Sequence, residues 1–159
     1  MITTDDVTAW FPDQDVVLIP DPALPAAVTH PRTREVLTRV GLPEGLLDVV
    51  EIAVDLAAGP RSVADRLSGE SGAEQLYVLG FIGPSYLAVH SDTGAVVRVT
   101  WSYEVTALAD SLDALIETMA TINTAIEGDD LAALRRLGEG ADPNWRDIVD
   151  GVLANLIPS

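Results

Sequence analysis

Five short segments bring together side chains of the kinds that catalyse hydrolysis or hold cofactors. His90-Ser91-Asp92 has the residue types of a nucleophilic triad. Adjacent residues at a strand end cannot point at one another, however, so a polar lead into a hairpin is the better reading. Gly69-Glu70-Ser71-Gly72-Ala73 lacks the second glycine of a nucleophile elbow and reads as a loop. Pro12-Asp13-Gln14-Asp15 resembles the opening of a nuclease metal site, but that chemistry needs a lysine, and all 9 cations here are arginine. Asp110-Ser111-Leu112-Asp113 can place two carboxylates at a helix start, where capping accounts for them without a metal. Gly80-Phe81-Ile82-Gly83 is too short and too apolar for a dinucleotide fingerprint. The two histidines, His30 and His90, lie far apart in sequence.

The missing residue types remove whole reaction classes. Without lysine there is no Walker A loop, no Schiff-base chemistry and no kinase lysine. Without cysteine there is no disulfide, no thiolate nucleophile and no thiolate-bound zinc. Among 159 residues, 25 acidic side chains face 9 basic ones, a formal net charge of −16. Such a surface repels nucleic-acid phosphates and anionic lipid, and its natural complement is a basic protein. With 48% hydrophobic residues the chain can bury a core. It has no run approaching the roughly 20 apolar residues of a membrane helix. The N-terminus, Met1-Ile2-Thr3-Thr4-Asp5-Asp6, is acidic where a signal peptide would be basic, which points to the cytoplasm.

The elements that must position any site follow from local patterns. Thr3 or Thr4 with Asp5 and Asp6 starts a helix that ends before Pro12. Asp15 to Ile19 is β-prone, and Pro20 to Pro25 is an extended crossing. Pro31 opens a second helix with Val36, Leu37 and Val40 on one face, closed by Gly41 and Pro43. Val50 to Ala57 alternates as a half-buried strand, with helical spacing through Leu46, Leu47, Val50 and Val54 as the rival. Ser62 to Leu67 makes one helical turn, and Ser68 to Gly72 is a loop.

The centre predicts an antiparallel meander. Its strands are Gln75 to Ile82, Tyr86 to His90 and Ala95 to Trp101, with turns at Gly83-Pro84-Ser85 and Ser91-Asp92-Thr93-Gly94. The chain then turns helical. Asp110 or Ser111 caps the stripe Leu112, Leu115, Ile116, Met119, Ile122 and Ile126. Asp129 or Asp130 starts a short helix, and Asp142-Pro143 starts the last. The expected architecture is one α+β domain over residues 1–159, a central, mostly antiparallel β-sheet flanked by N-terminal and C-terminal helices, with the helical part at about 110–157. Ala125 to Asn144 matches a single ankyrin repeat, but no second copy exists to stack on it. Core packing is the first expectation for Trp10, Trp101 and Trp145.

Five segments in order carry a resemblance. They are Pro31-Arg32-Thr33-Arg34-Glu35-Val36-Leu37 leading to Val40-Gly41-Leu42-Pro43, Leu76-Tyr77-Val78-Leu79-Gly80, and Leu87 to Val99 with its His90-Ser91-Asp92-Thr93-Gly94 turn. Ser111-Leu112-Asp113-Ala114-Leu115 and Asp142-Pro143 with Trp145 complete the set. Together they resemble the SUKH-type immunity proteins of bacterial polymorphic toxin systems, particularly the actinobacterial group four. Ala109-Asp110 stands where an asparagine-serine pair is expected. The resemblance implies a sheet flanked by helices and a non-enzymatic cytoplasmic role, in which the protein binds a cognate toxin, often a nuclease or deaminase, and blocks it. No catalytic, cofactor-binding or metal-ligating residue is expected.

The partner implied is a toxin with a basic surface, not a nucleic acid or a membrane. Candidate partner-binding residues are the acids Asp5, Asp6, Asp13, Asp15, Glu70 and Glu74, with Trp10 and Tyr103 as apolar anchors. Glu51 and Asp55 join them if the polar face of their strand is open. The alternatives are an acidic protein–protein interaction scaffold or regulator and, with less support, a small metal-dependent hydrolase.

Overall fold

The computed structural model describes residues 1–53, 55–67 and 69–157. Helix α1 (Thr4–Trp10) starts on a full capping box: the Thr3 hydroxyl accepts from the Asp6 N–H, and the Asp6 carboxylate accepts from the Thr3 N–H. Helix α2 (Pro31–Glu35) starts on His30, whose Nδ1 accepts from the Thr33 N–H, and runs on into a π-helical turn at Val36–Val40. Gly41 ends it at φ 92°, and a Cβ there would meet Val16 Cγ1 at 2.0 Å. The glycine is dictated both by the left-handed turn and by the close approach.

Among the described residues seven strands form one antiparallel sheet. They are β1 (Gly45–Leu46), β2 (Val50–Ile52), β3 (Arg61–Ser62), β4 (Leu76–Ile82), β5 (Ser85–His90), β6 (Val96–Val99) and β7 (Val105–Ala109). Their order is β1-β2-β4-β5-β6-β7, with β3 pairing beside β2 on the same strand β4. Gly80 lets β2 press onto β4, since a Cβ there would lie 2.0 Å from the Glu51 carbonyl oxygen. The register slips between Val78 and Gly80, a bulge that re-aims the end of β4.

Three helices follow: α3 (Leu112–Glu127), α4 (Leu131–Glu139) and α5 (Pro143–Leu156). Each starts on the side chain of its cap, Ser111, Asp130 or Asp142. One large core joins the inner face of the sheet (Leu79, Ile82, Leu87, Val89, Val96, Leu108) to the α3 stripe of Leu112, Leu115, Ile116 and Met119. Val7 and Phe11 of the N-terminal helix and its end, Val36 and Leu37, and Trp145, Ile148 and Val149 of α5 belong to the same cluster. The molecule is α+β, as its patterning predicts.

Several local expectations need correction. Asp15 to Ile19 is not a strand; it makes one isolated bridge, Val17 to Leu42, because no second strand lies along it. Pro20 to Pro25 is not wholly extended, since Asp21–Ala23 forms a 3-10 turn. The alternation over Val50–Ala57 yields only three strand residues before a 3-10 turn at Leu56–Ala58. Val54 of that segment and Ser68 of the expected loop lie outside the described residues. The largest departure is β7, a fourth meander strand where the pattern after Trp101 predicts a passage straight to helix. Only Leu108 of its five residues is buried, so this edge strand carries no readable alternation. Strands β1 and β3 have two residues each, too few to show a period.

Candidate interaction surface

The inner face of the sheet is covered by helices, whereas the outer face is covered only in part. The 3-10 turns Val63–Asp65 and Ala73–Gln75 lay Val63 and Ala73 over Leu76, Tyr86, Ala88 and Val99 to make a second, smaller core. Beyond it the cross-strand pairing sets one lateral row on the outer face: Glu51 opposite Phe81, Phe81 opposite Tyr86, Tyr86 opposite Val99, and Val99 opposite Val105. Directly paired residues of antiparallel strands share a face, so five strands contribute to one line of side chains.

An aromatic run forms the middle of this line. The Phe81 and Tyr86 rings lie 5.9 Å apart at 45°, and Trp101 stacks on Tyr86 at 6.3 Å and 30°. Trp101 is 69% exposed and Phe81 38% exposed, while Tyr86 is buried beneath them. Trp101 occupies the turn between β6 and β7, and its indole N–H donates to the Pro84 carbonyl in the turn between β4 and β5. The same turn holds Tyr103 at φ 60°, with its N–H bonded to the Thr100 carbonyl and the Thr100 hydroxyl accepting from the Glu104 N–H. A cleft of about 140 Å³ runs beside the row, lined by Phe81 and Tyr86 with Asp55, Arg61 and Arg66 among its walls.

The eight residues singled out from sequence divide between two places. Glu70, Glu74 and Tyr103 come together on the outer face. The Tyr103 hydroxyl donates to the Ser71 carbonyl at 2.9 Å, and burial, followed by the charges of Glu70 and Glu74, pushes its pKa above the ordinary tyrosine value. Tyr103 is half-buried, so Trp101 beside it is the open aromatic of this turn. Asp5, Asp6 and Trp10 lie on α1, which packs against α3. Asp5 is exposed, Asp6 is engaged in the capping box, and Trp10 is half-buried against the inner core, its carbonyl accepting from Asn123 at 3.0 Å. Asp13 and Asp15 are exposed in the following loop, where Gln14 clamps Glu44 and Gly45 at the start of β1. Glu51 and Asp55 are exposed beside the row and the cleft.

Sequence reasoning missed Phe81, and for Trp101 it ranked core packing ahead of a role as an interface anchor. Trp101 departs from the expectation of core packing that Trp145 meets at 7% exposure. The available signal was position: Trp101 stands between Thr100 and Ser102, past the last buried residue of its strand.

The segments that looked chemical hold the fold together. The Ser91 carbonyl accepts the N–H groups of Thr29 and His30, and His90 Nδ1 accepts those of Asp92 and Thr93, which docks the β5–β6 turn on the start of α2. Asp113 grips Arg32 through two bonds, Nε to Oδ1 at 3.0 Å and Nη2 to Oδ2 at 2.8 Å, and also accepts the Ile2 N–H. Burial raises the Asp113 pKa, but the bonds from Arg32 and Ile2 and the attraction of the guanidinium outweigh it, and the net shift is downward. Arg32 is raised in turn, mainly by the same bond. Trp145 donates its indole N–H to the Leu108 carbonyl of β7 at 2.8 Å.

Among the described residues no three His, Asp or Glu side chains converge as metal ligands, and no helix is long and apolar enough to cross a membrane. The geometry provides an exposed aromatic run with carboxylates around it, which suits docking of another macromolecule. The model of one protein family, described as "SUKH-4 immunity protein", matches residues 2–156 of the chain. No curated protein and no solved structure matches it.

Proposed function

Because the chain belongs to the SUKH-4 immunity protein family, we propose that it acts in the cytoplasm, as one domain, by binding a cognate toxin and blocking it without chemistry of its own. The toxin it best suits is a nuclease or deaminase with a basic substrate cleft. The observation that carries this reading is the net charge of −16, which complements a surface evolved to attract nucleic acid. Acids on both sides of the molecule, from Asp5 and Asp13 to Glu70 and Glu74, add to one long-range field that draws a basic partner in before any contact forms. Neutralisation then needs only occlusion of the toxin's cleft.

The test uses the toxin encoded next to this gene. Co-expression should protect cells from it, and stopped-flow association should slow by about tenfold or more as ionic strength rises from about 0.05 to 0.5 M. A flat rate across that range refutes charge steering. Failure to protect against any neighbouring toxin refutes the immunity role and favours the scaffold.

A further inference from the structure

We propose that the aromatic row Phe81–Tyr86–Trp101 on the open half of the outer sheet face is the docking surface, and that its occupant is an arginine-bearing segment of a basic protein partner. The proposal rests on the immunity reading above and deepens it by naming where the toxin sits and which of its side chains is captured.

Three observations carry it. The first is contiguity. Three aromatic rings in sequential contact run from β4 to the β6–β7 turn, and the outermost of them is 69% exposed. The second is pre-organisation. Trp101 is fixed by its stack on Tyr86 and by its bond to Pro84, so a partner meets an aromatic plate already held in place and little side-chain freedom is lost on binding. The third is charge. Glu51 lies directly across the β2–β4 pair from Phe81, Asp55 walls the cleft, and Glu70 and Glu74 come together with Tyr103 of the turn that bears Trp101. A guanidinium stacks its face on an indole while its edge bonds carboxylates, which an ammonium cannot do as well.

Arg61 and Arg66 are the cations on the cleft side of the row. They repel a basic segment there and orient it across Trp101 toward Glu70 and Glu74. A second copy of this chain is a poor occupant, because bringing two −16 surfaces together opposes association.

The experiment is an NMR titration of the full chain with an arginine-glycine repeat peptide and its lysine-glycine counterpart at about 0.15 M salt. Shifts should centre on the Trp101 indole N–H and on the amides of Glu51, Phe81 and Glu104. The arginine peptide should bind about threefold or more tighter than the lysine peptide. Trp101→Ser should weaken binding about tenfold, and Glu51→Lys should weaken it while leaving every ring in place, so loss does not depend on one variant folding well. Thr8→Ala, on the exposed side of α1, should leave binding unchanged. Equal affinity for the two peptides, shifts centred on α1, or an unaffected Trp101→Ser would overturn the docking surface. The two readings separate in cells. If wild type, Trp101→Ser and Glu51→Lys all protect equally against the neighbouring toxin, the surface is wrong and immunity stands. If wild type protects against none while the peptide result holds, the immunity role is wrong and an arginine-binding surface remains.

Discussion

The two faces of the sheet use the same alternating strands but differ in what lies over them. On the inner face Leu79, Leu87, Val89 and Val96 meet a helix stripe and are fully buried. On the outer face the neighbouring residues of the same strands meet a short irregular segment that stops partway, leaving Phe81, Trp101 and Val105 in water. The residues that carried the family resemblance follow the same division. Arg32 meets Asp113, the Ser91 carbonyl meets the N–H groups of Thr29 and His30, and Trp145 meets the Leu108 carbonyl, each fastening an element of the helix-covered side or the edge it caps. Phe81, Tyr86 and Trp101 fall in the gaps between those segments. In this chain the family motifs therefore report how it is held together, whereas the exposed aromatic row is built from what lies between them.

Breaking the inner face should have the largest effect. Leu115 is 1% exposed in the α3 stripe, and Leu115→Ala should cost about 2–5 kcal/mol by urea denaturation. A loss below about 1 kcal/mol would mean that the stripe is not core.

The Arg32–Asp113 pair sits at the margin of that core and should matter less. Asp113→Asn should cost about 1.5–3 kcal/mol at neutral pH, the range for hydrogen bonds to charged groups. Because the folded Asp113 pKa is lowered, the wild-type carboxylate contributes fully above its ordinary value of 3.8 and loses that contribution as pH falls through the lower folded value. The stability gap between wild type and variant should thus narrow on acidification below about pH 4. A gap independent of pH would show that the pair is not the source.

The outer row should have the smallest effect on stability. Trp101→Ala removes one stacking contact at a site mostly in water, so it should cost about 0.5–1.5 kcal/mol in the same denaturation assay. A cost matching Leu115→Ala would erase the contrast between the faces and make Trp101 a structural residue.

Much of the scaffold was legible because its signals are local. The helix start at Thr3 or Thr4, Pro31 at a first helical position, Gly41 at a helix end, and the caps at Asp110 or Ser111, Asp129 or Asp130, and Asp142 each act within a turn of chain, and the structure selects Thr3, Ser111 and Asp130. The strands β4 to β6 were legible because both their faces meet cores of some size. Strand β7 was not, because it is an edge with one buried residue of five, held by Trp145 and Asn144 from a helix more than thirty residues away in sequence.

Net charge, the absence of lysine and cysteine, and the order of helices and meander were determined by the sequence alone, since composition and short-range period fix them. Which acids stand together was decided only by the tertiary structure, which sent Asp5 and Asp13 away from Glu70 and Glu74. The same holds for the row of Phe81, Tyr86 and Trp101. Period-2 alternation separates a strand's two faces but cannot say which of them will be covered. That depends on where the turns at Leu56–Ala58, Val63–Asp65 and Ala73–Gln75 lie over the sheet, a placement set by contacts distant in sequence.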